Sequence, residues 1–332
     1  AVPDNLVLFV ALILIAGIGV SAYHPAGYAS LDETTGSNKG KAYGWFEFWG
    51  SLAVFCMFLL HGLLLKGSSW QTIIILTSIP GFIMGALYLL YSARFRFPAD
   101  NGRGTSYQGQ EDQRAVDGDV PLTLFALFLA VIAFRFFGIM AVVSFTPTFL
   151  VREVGLNPSL ASYATGIYFL GGLIFTPVLG TQSDIRGPFP VLLGTTGAAF
   201  PLIFLMSVPA GQPAVLPLYL FLIGICYYGA GPSMDMIITR VSSRLGRGEA
   251  FGYFMAMIAI AYSFSPLLFG MLADRLGLRL SIRVFSSALF ASTAVLVILM
   301  AMMKRRTMRV ASHPGGISRQ LAGAGVEDGT RG

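Results

Sequence analysis

Charged positions are widely spaced along this chain, and the stretches between them are apolar. Histidine aside, no charge falls from Leu6 to Leu31, from Gly67 to Ala93, from Val154 to Ser183, or from Gly187 to Met234. About 20 mostly apolar residues suffice for a helix to cross a bilayer. The last run is too long for one crossing. Val208-Pro209-Ala210-Gly211-Gln212-Pro213 divides it, since clustered Pro and Gly mark turns. The pattern predicts nine spans, at 6–31, 43–65, 70–92, 121–149, 160–180, 188–208, 214–238, 250–271 and 283–303. All are expected to be helices. A helix satisfies its own backbone hydrogen bonds in lipid, and the runs are too long and uniformly apolar for barrel strands.

Composition narrows the class. Of 332 residues, 55% are hydrophobic and 11% charged, where a soluble domain carries about 25% charged residues. Such a chain lacks the charge to cover its own surface in water. Cys56 and Cys226 both lie in apolar runs and read as reduced packing residues, not as a disulfide framework or a zinc site. No cofactor or metal pattern is present. The first run lacks a basic leading region and is followed by further spans, so it does not read as a signal peptide. The net charge is +6, but the basic residues sit at the ends of apolar runs. Membrane lipid, and not nucleic acid, is the expected partner.

The basic residues also orient the chain. Loops after the odd-numbered spans hold fourteen: Lys39, Lys41, Arg94, Arg96, Arg103, Arg114, Arg186, Arg240, Arg244, Arg247, Lys304, Arg305, Arg306 and Arg309. The opposite loops hold five: Lys66, Arg152, Arg275, Arg279 and Arg283. Cytoplasmic loops carry the excess of Lys and Arg. The first set and the C-terminus are therefore expected in the cytoplasm, with the cell membrane as location. The tail over 305–332, Gly/Ser/Arg-rich from Ala311, is expected to be cytoplasmic and disordered.

Two stretches repeat each other in the same direction. Gly17, Pro25, Lys39-Gly40-Lys41-Ala42-Tyr43-Gly44-Trp45-Phe46 and Gly62 correspond to Gly224, Pro232, Arg247-Gly248-Glu249-Ala250-Phe251-Gly252-Tyr253-Phe254 and Gly270. The offset is 207 residues at the first two positions and 208 at the rest. The repeat relates the first three spans to the last three. It makes 121–304 a complete six-helix half and 1–92 the later part, three helices, of another. Residues 93–120 become a central cytoplasmic loop. On this reading about three helices precede Ala1, and the sequence is an N-terminally truncated form holding nine of twelve transmembrane helices.

Two parallel six-helix halves joined by a long cytoplasmic loop resemble the major facilitator superfamily. Gly180-Thr181-Gln182-Ser183-Asp184-Ile185-Arg186-Gly187 looks like that family's Gly-x-x-x-Asp-x-x-Gly loop between the second and third spans of a half. It departs after Gly187, where Pro188-Phe189-Pro190 replaces a basic pair. Gly270-Met271-Leu272-Ala273-Asp274-Arg275-Leu276-Gly277 matches the same pattern in a loop predicted to lie outside. Gly17-Ile18-Gly19 with Tyr23-His24-Pro25, and Arg135 with Ser144-Phe145-Thr146-Pro147, resemble the fourth and seventh spans of fosmidomycin-resistance-like exporters. The resemblance implies an all-α polytopic membrane protein with an MFS-type helical bundle. It also implies secondary transport by alternating access.

Several residues are candidates for chemistry. Arg135 falls mid-span and stays protonated, at a cost of roughly 2.5–3.5 kcal/mol on the insertion scale. It needs an acidic partner or a wet cavity, and could clamp an anion or pair with a coupling carboxylate. A structural ion pair is the alternative. Glu47, about one turn inside its span, reads either as a proton-coupling acid or as a capping acid near a helix start. Asp235, beside Pro232, reads as a coupling acid or as a partner of Arg240. His24 titrates near neutral pH and adjoins Tyr23; a packing histidine is the other reading, as it is for His61. Asp184 and Arg186, with Gly180 and Gly187, are expected to latch helices at the cytoplasmic gate. Tyr23, Trp45, Trp49, Tyr168, Tyr227 and Tyr228 are candidate cavity aromatics.

The leading function is therefore a secondary active transporter for a small organic solute, anionic or drug-like, driven by a proton or sodium gradient. One charge moving through 100 mV yields about 2.3 kcal/mol, enough for a roughly fifty-fold gradient. An intramembrane enzyme would need clustered chemistry such as His-Glu-x-x-His or paired Asp, and a primary pump would need a Walker loop. Neither pattern occurs in the sequence. An inactive or receptor-like membrane fragment is the remaining alternative.

Overall fold

The computed structural model describes residues 6–21, 39–92, 120–208, 215–241 and 247–311, together with Gly27 and Leu31. Among the described residues the regular structure is helical throughout. In chain order the helices are α1 (Leu6–Ser21), α2 (Lys39–Leu64), α3 (Trp70–Ser92), α4 (Leu122–Arg152) and α5 (Pro158–Arg186). They continue as α6 (Pro188–Met206), α7 (Leu216–Tyr228), α8 (Gly231–Val241), α9 (Arg247–Leu276) and α10 (Leu278–Ala311). Among the described residues eight spans are long and apolar enough to cross a membrane, α7 and α8 counting as one over Leu216–Ile238. Helix α1 has 16 residues and rises about 24 Å. Most of the rest of the span predicted over 6–31 lies outside the described residues, as does the predicted linker up to residue 119.

The helices run past their predicted ends. Helix α5 continues to Arg186 and α9 to Leu276, where sequence hydrophobicity places their ends at 180 and 271. The added turns are polar, so they extend the helix without placing charge in hydrocarbon. Two loops shrink accordingly to one residue each. Gly187 and Gly277 take φ of 85° and 81°, a region open to glycine because it lacks a Cβ. The Gly-x-x-x-Asp-x-x-Gly stretch expected as a loop is thus the last turns of α5, closed by Gly187. The expected disordered tail is corrected in its first part: α10 continues through Lys304, Arg305 and Arg306 to Ala311. Positive charge stabilises a helix C-terminal end, so the basic cluster prolongs this helix.

The span predicted over 214–238 is two helices. Gly229 and Ala230 interrupt it as turn residues, and Pro232 removes an N–H from the next turn.

Helix α4 sits centrally, packed against α9 and α10, while α5 packs on α7 and α6 on α10. Lipid tails remove the hydrophobic drive for helix association, so small residues and buried hydroxyls take over. Ser265 Oγ donates to Phe137 O (2.5 Å), tying α9 to α4. Ser292 Oγ donates to Val131 O (2.8 Å), tying α10 to α4. The outward faces of α3 and α9 are apolar and exposed, as Phe82, Leu89 and Phe264 show. That surface suits lipid and would not suit water.

The seam between α2 and α5 is the broadest contact between residues before 93 and residues after 120. Gly40, Gly44 and Gly180 bring the backbones together at one end. A Cβ on Gly40 would lie 2.5 Å from Gly180 O, and one on Gly44 2.8 Å from Pro177 Cα. At the other end Ser159 Oγ donates to Gly62 O and Ser162 Oγ to Phe58 O (2.8 Å). The Phe58 and Phe169 rings stack between these ends, 4.9 Å apart.

Gly224 tests this packing. A Cβ there would overlap Tyr168 O, whereas one on Gly252 meets nothing within 4 Å. Gly224→Val is expected to destabilise the protein by about 1–3 kcal/mol through overpacking. Gly252→Ala is expected to be neutral or stabilising by about 0.5 kcal/mol. Thermal melting in detergent, followed by tryptophan fluorescence, checks both; equal effects would contradict the α5–α7 contact.

Candidate functional site

Arg135 lies at the boundary of two apolar clusters. Phe128, Val131 and Ile132 belong to one, and Ile139 and Val142 to the other. The residue is 1% exposed. Its guanidinium donates through Nη1 to Thr196 Oγ1 (2.8 Å). Through Nη2 it donates to Cys226 O (2.6 Å) and Tyr227 O (3.2 Å). Those carbonyls belong to the last turn of α7, just before the Gly229–Ala230 interruption. The last carbonyls of a helix lack intrahelical partners and carry its negative dipole end. The charge is held there by a helix end and a hydroxyl.

An aromatic wall adjoins Arg135. Tyr227 and Tyr262 share a hydroxyl hydrogen bond of 2.6 Å. The Tyr227 ring lies 5.8 Å from Tyr168 and 4.7 Å, edge-on, from Tyr228. Phe136 closes one side, 5.6 Å from Tyr262. The Tyr168 hydroxyl is buried with no hydrogen-bond partner among the described residues. Glu47 approaches from α2. A Cβ on Gly231 would lie 4.0 Å from Glu47 Cγ, so the carboxylate side chain stands beside the start of α8. Negative charge is favoured at a helix N-terminus. The interrupted span thus meets a cation at the end of α7 and an acid at the start of α8.

A second polar contact closes one end of the seam. Asp184 Oδ1 accepts from Gly40 N (3.0 Å) and Oδ2 from Lys41 N (2.9 Å). One carboxylate from α5 therefore accepts from two successive backbone N–H groups at the described start of α2. Gly180, one turn earlier on α5, permits the approach.

The other expected residues fall as follows. Asp235 is 3% exposed on α8, whereas Arg240 is exposed. Arg186 is exposed in the last turn of α5. Tyr23 and His24 lie outside the described residues. Trp45 and Trp49 are exposed on α2 and pack on Phe48, away from the tyrosine wall. His61 lines a cavity of about 500 Å³ with Phe58, Pro147 and Arg152, at the end of the seam opposite Asp184. No group of three or more metal-ligating side chains forms among the described residues. Sequence reasoning did not find Thr196, Tyr262 or the Arg279–Glu153 pair (2.7 Å). The first two resemble many other span hydroxyls, and pairing across 126 residues leaves no local pattern.

A family model described as Major Facilitator Superfamily matches the chain twice, over residues 1–149 and 127–322. A search of curated proteins found no match.

Replacing Arg135 by Met leaves the Thr196 hydroxyl and the two α7 carbonyls without their donor. A buried polar group left unsatisfied costs about 1–3 kcal/mol. Arg135→Met is therefore expected to lower stability by at least about 2 kcal/mol and to speed amide exchange around Gly229–Met234. Arg135→Lys, which keeps a donor, is expected to do less. Hydrogen–deuterium exchange with mass spectrometry reads the difference; unchanged exchange in Arg135→Met would show that the guanidinium does not hold this break.

Proposed function

The chain belongs to the major facilitator superfamily, and on that premise we propose a secondary active transporter that moves a small organic solute by alternating access. Members of the family are membrane transporters, and the all-helical bundle with eight apolar spans fits that role. The observation that carries the finer reading is the asymmetric α2–α5 seam. One end is held by a single carboxylate, Asp184, on two backbone N–H groups. The other end borders the cavity near His61. A seam closed at one end and hollow at the other suits one state of an alternating-access cycle.

The distribution of Lys and Arg supports a cytoplasmic position for the Asp184 end and for the C-terminus. On this reading the described state is closed toward the cytoplasm, in a cell membrane. Residues 1–92 and 121–304 act as two bodies meeting at the seam, and residues 93–120 link them. Gly180 and Gly187 frame the latch, and Arg186 stands beside it. Opening the cytoplasmic side requires Asp184 to leave the α2 N-terminus. Proton or sodium coupling falls to Glu47, Asp235 and His24, with Tyr23 beside the last. Arg135 shapes the interrupted span between them.

Cross-linking tests the cycle. Gly40→Cys and Asp184→Cys, in a background with Cys56→Ser and Cys226→Ser, put a disulfide-forming pair across the latch, since a Cβ on Gly40 would lie 3.1 Å from Asp184 Cγ. Cross-linking is expected to trap the protein and abolish solute flux in proteoliposomes, with flux restored by reductant. Separately, Asp184→Ala, which removes the acceptor of the Gly40 and Lys41 N–H groups, is expected to speed amide exchange at those two residues severalfold. Full flux in the cross-linked protein would exclude opening at this end.

A further inference from the structure

We propose that the cavity at the end of the α2–α5 seam opposite Asp184 binds a small amphipathic organic anion, such as an aryl sulfonate or carboxylate. The inference rests on the transporter reading and names its substrate class. The cavity holds about 500 Å³, within the range of about 300–1,000 Å³ usual for small-molecule pockets. Four helices line it: Phe58 comes from α2, Ile73 from α3, Pro147 from α4 and Ala161 from α5. These walls are apolar, and the Phe58 ring is steadied by its stack on Phe169. The basic groups gather at one end. His61 stands in the last turn of α2, and Arg152 closes α4. At 1.5 Å per residue, Pro147 lies about 7.5 Å nearer mid-bundle than Arg152, and Phe58 about 4.5 Å nearer than His61. The cavity is thus oily toward mid-bundle and basic toward the helix ends.

Charge and pairing select the class. None of the residues lining the cavity is acidic. Glu153, next to Arg152 in sequence, is held by Arg279 at 2.7 Å. The side chains of Arg152 and His61 make no ion pair or hydrogen bond among the described residues. Arg135, by contrast, is engaged with Thr196 and two carbonyls. Arg152 stays protonated, and its uncommitted fork of donors suits the oxygens of a carboxylate or sulfonate. Hydrogen bonds to an ionised group are roughly twice as strong as neutral ones, and apolar surroundings strengthen them further. A cation entering here would face Arg152 with no acid to offset it. An uncharged molecule would leave the guanidinium unmet, and a bare inorganic anion would leave the apolar walls unused. Helices α2 and α3 precede residue 93, and α4 and α5 follow residue 120. An occupant therefore touches both sides of the seam, the surfaces that alternating access must part.

Naphthalene-2-sulfonate, naphthalene-2-sulfonamide and methanesulfonate test the assignment, since the second lacks the charge and the third the apolar body. Equilibrium dialysis of the detergent-solubilised chain, against micelles without protein, is expected to show saturable binding of naphthalene-2-sulfonate at one site. The other two are expected to bind at least tenfold more weakly. Arg152→Gln should weaken naphthalene-2-sulfonate binding at least tenfold, Arg152→Lys less, and His61→Leu severalfold. Thr148→Phe, which fills the cavity from α4, should abolish it. Arg275→Gln, which removes an exposed cation at the same end of the bundle, should leave it unchanged, and melting curves confirm that each variant folds. Binding of the sulfonamide as tight as that of the sulfonate, or sulfonate binding indifferent to Arg152→Gln, overturns the anion site. In nanodiscs, displacement of the sulfonate by phosphatidylglycerol and not by phosphatidylcholine would make the occupant a lipid headgroup and overturn the solute assignment. Uptake of naphthalene-2-sulfonate into proteoliposomes separates the two readings. Arg152-dependent binding without uptake overturns transport and leaves the anion site standing. Uptake that persists undiminished in Arg152→Gln does the reverse.

Discussion

A guanidinium sealed inside a bundle that faces lipid must find its acceptors in the protein, because neither hydrocarbon nor the apolar core supplies any. Arg135 meets this demand with two backbone carbonyls and one hydroxyl. The carbonyls are available because α7 stops at Tyr228. The broken helix and the buried charge are therefore a single arrangement: each would be costly alone, and each removes the cost of the other. The two apolar clusters lie on either side of this point, which lets the polar contact sit mid-bundle without opening the core to water.

The same economy governs the α2–α5 seam. Glycines at one end allow backbones to approach so closely that a side-chain carboxylate reaches two main-chain N–H groups. Serines at the other end donate to carbonyls of α2. The contacts described at both ends are to backbone atoms. Contacts to backbone tolerate sliding and re-forming better than a locked ion pair, which suits surfaces that must part and meet again. The Arg279–Glu153 pair lies within the α4–α10 packing, away from this seam.

Much of this was legible from residue pattern alone. Long uncharged runs located the spans. Asp184 stood out because its spacing to Gly180 and Gly187 is distinctive, and it does join α5 to α2. Its partner did not, since backbone N–H groups carry no sequence signature. The acceptors of Arg135 escaped for the same reason: the sequence directs attention to acids, while two of its three partners are carbonyls. Hydrophobicity also misplaced helix ends. It reports where lipid ends, and α5, α9 and α10 continue into the polar zone beyond. The break after Tyr228 was signalled by Gly229-Ala230-Gly231-Pro232, but an apolar run hides an interruption of two residues.

The single-glycine elbows at Gly187 and Gly277 bear on how the protein is made. With one residue between α5 and α6, and one between α9 and α10, neither partner can settle in the bilayer while the other waits in water. Each couple must enter the translocon's lateral opening as a ready-formed hairpin. Biosynthesis then proceeds by pairs at these two places. A tag or a proteolytic site inserted at either glycine would disturb insertion itself before it could report on anything else.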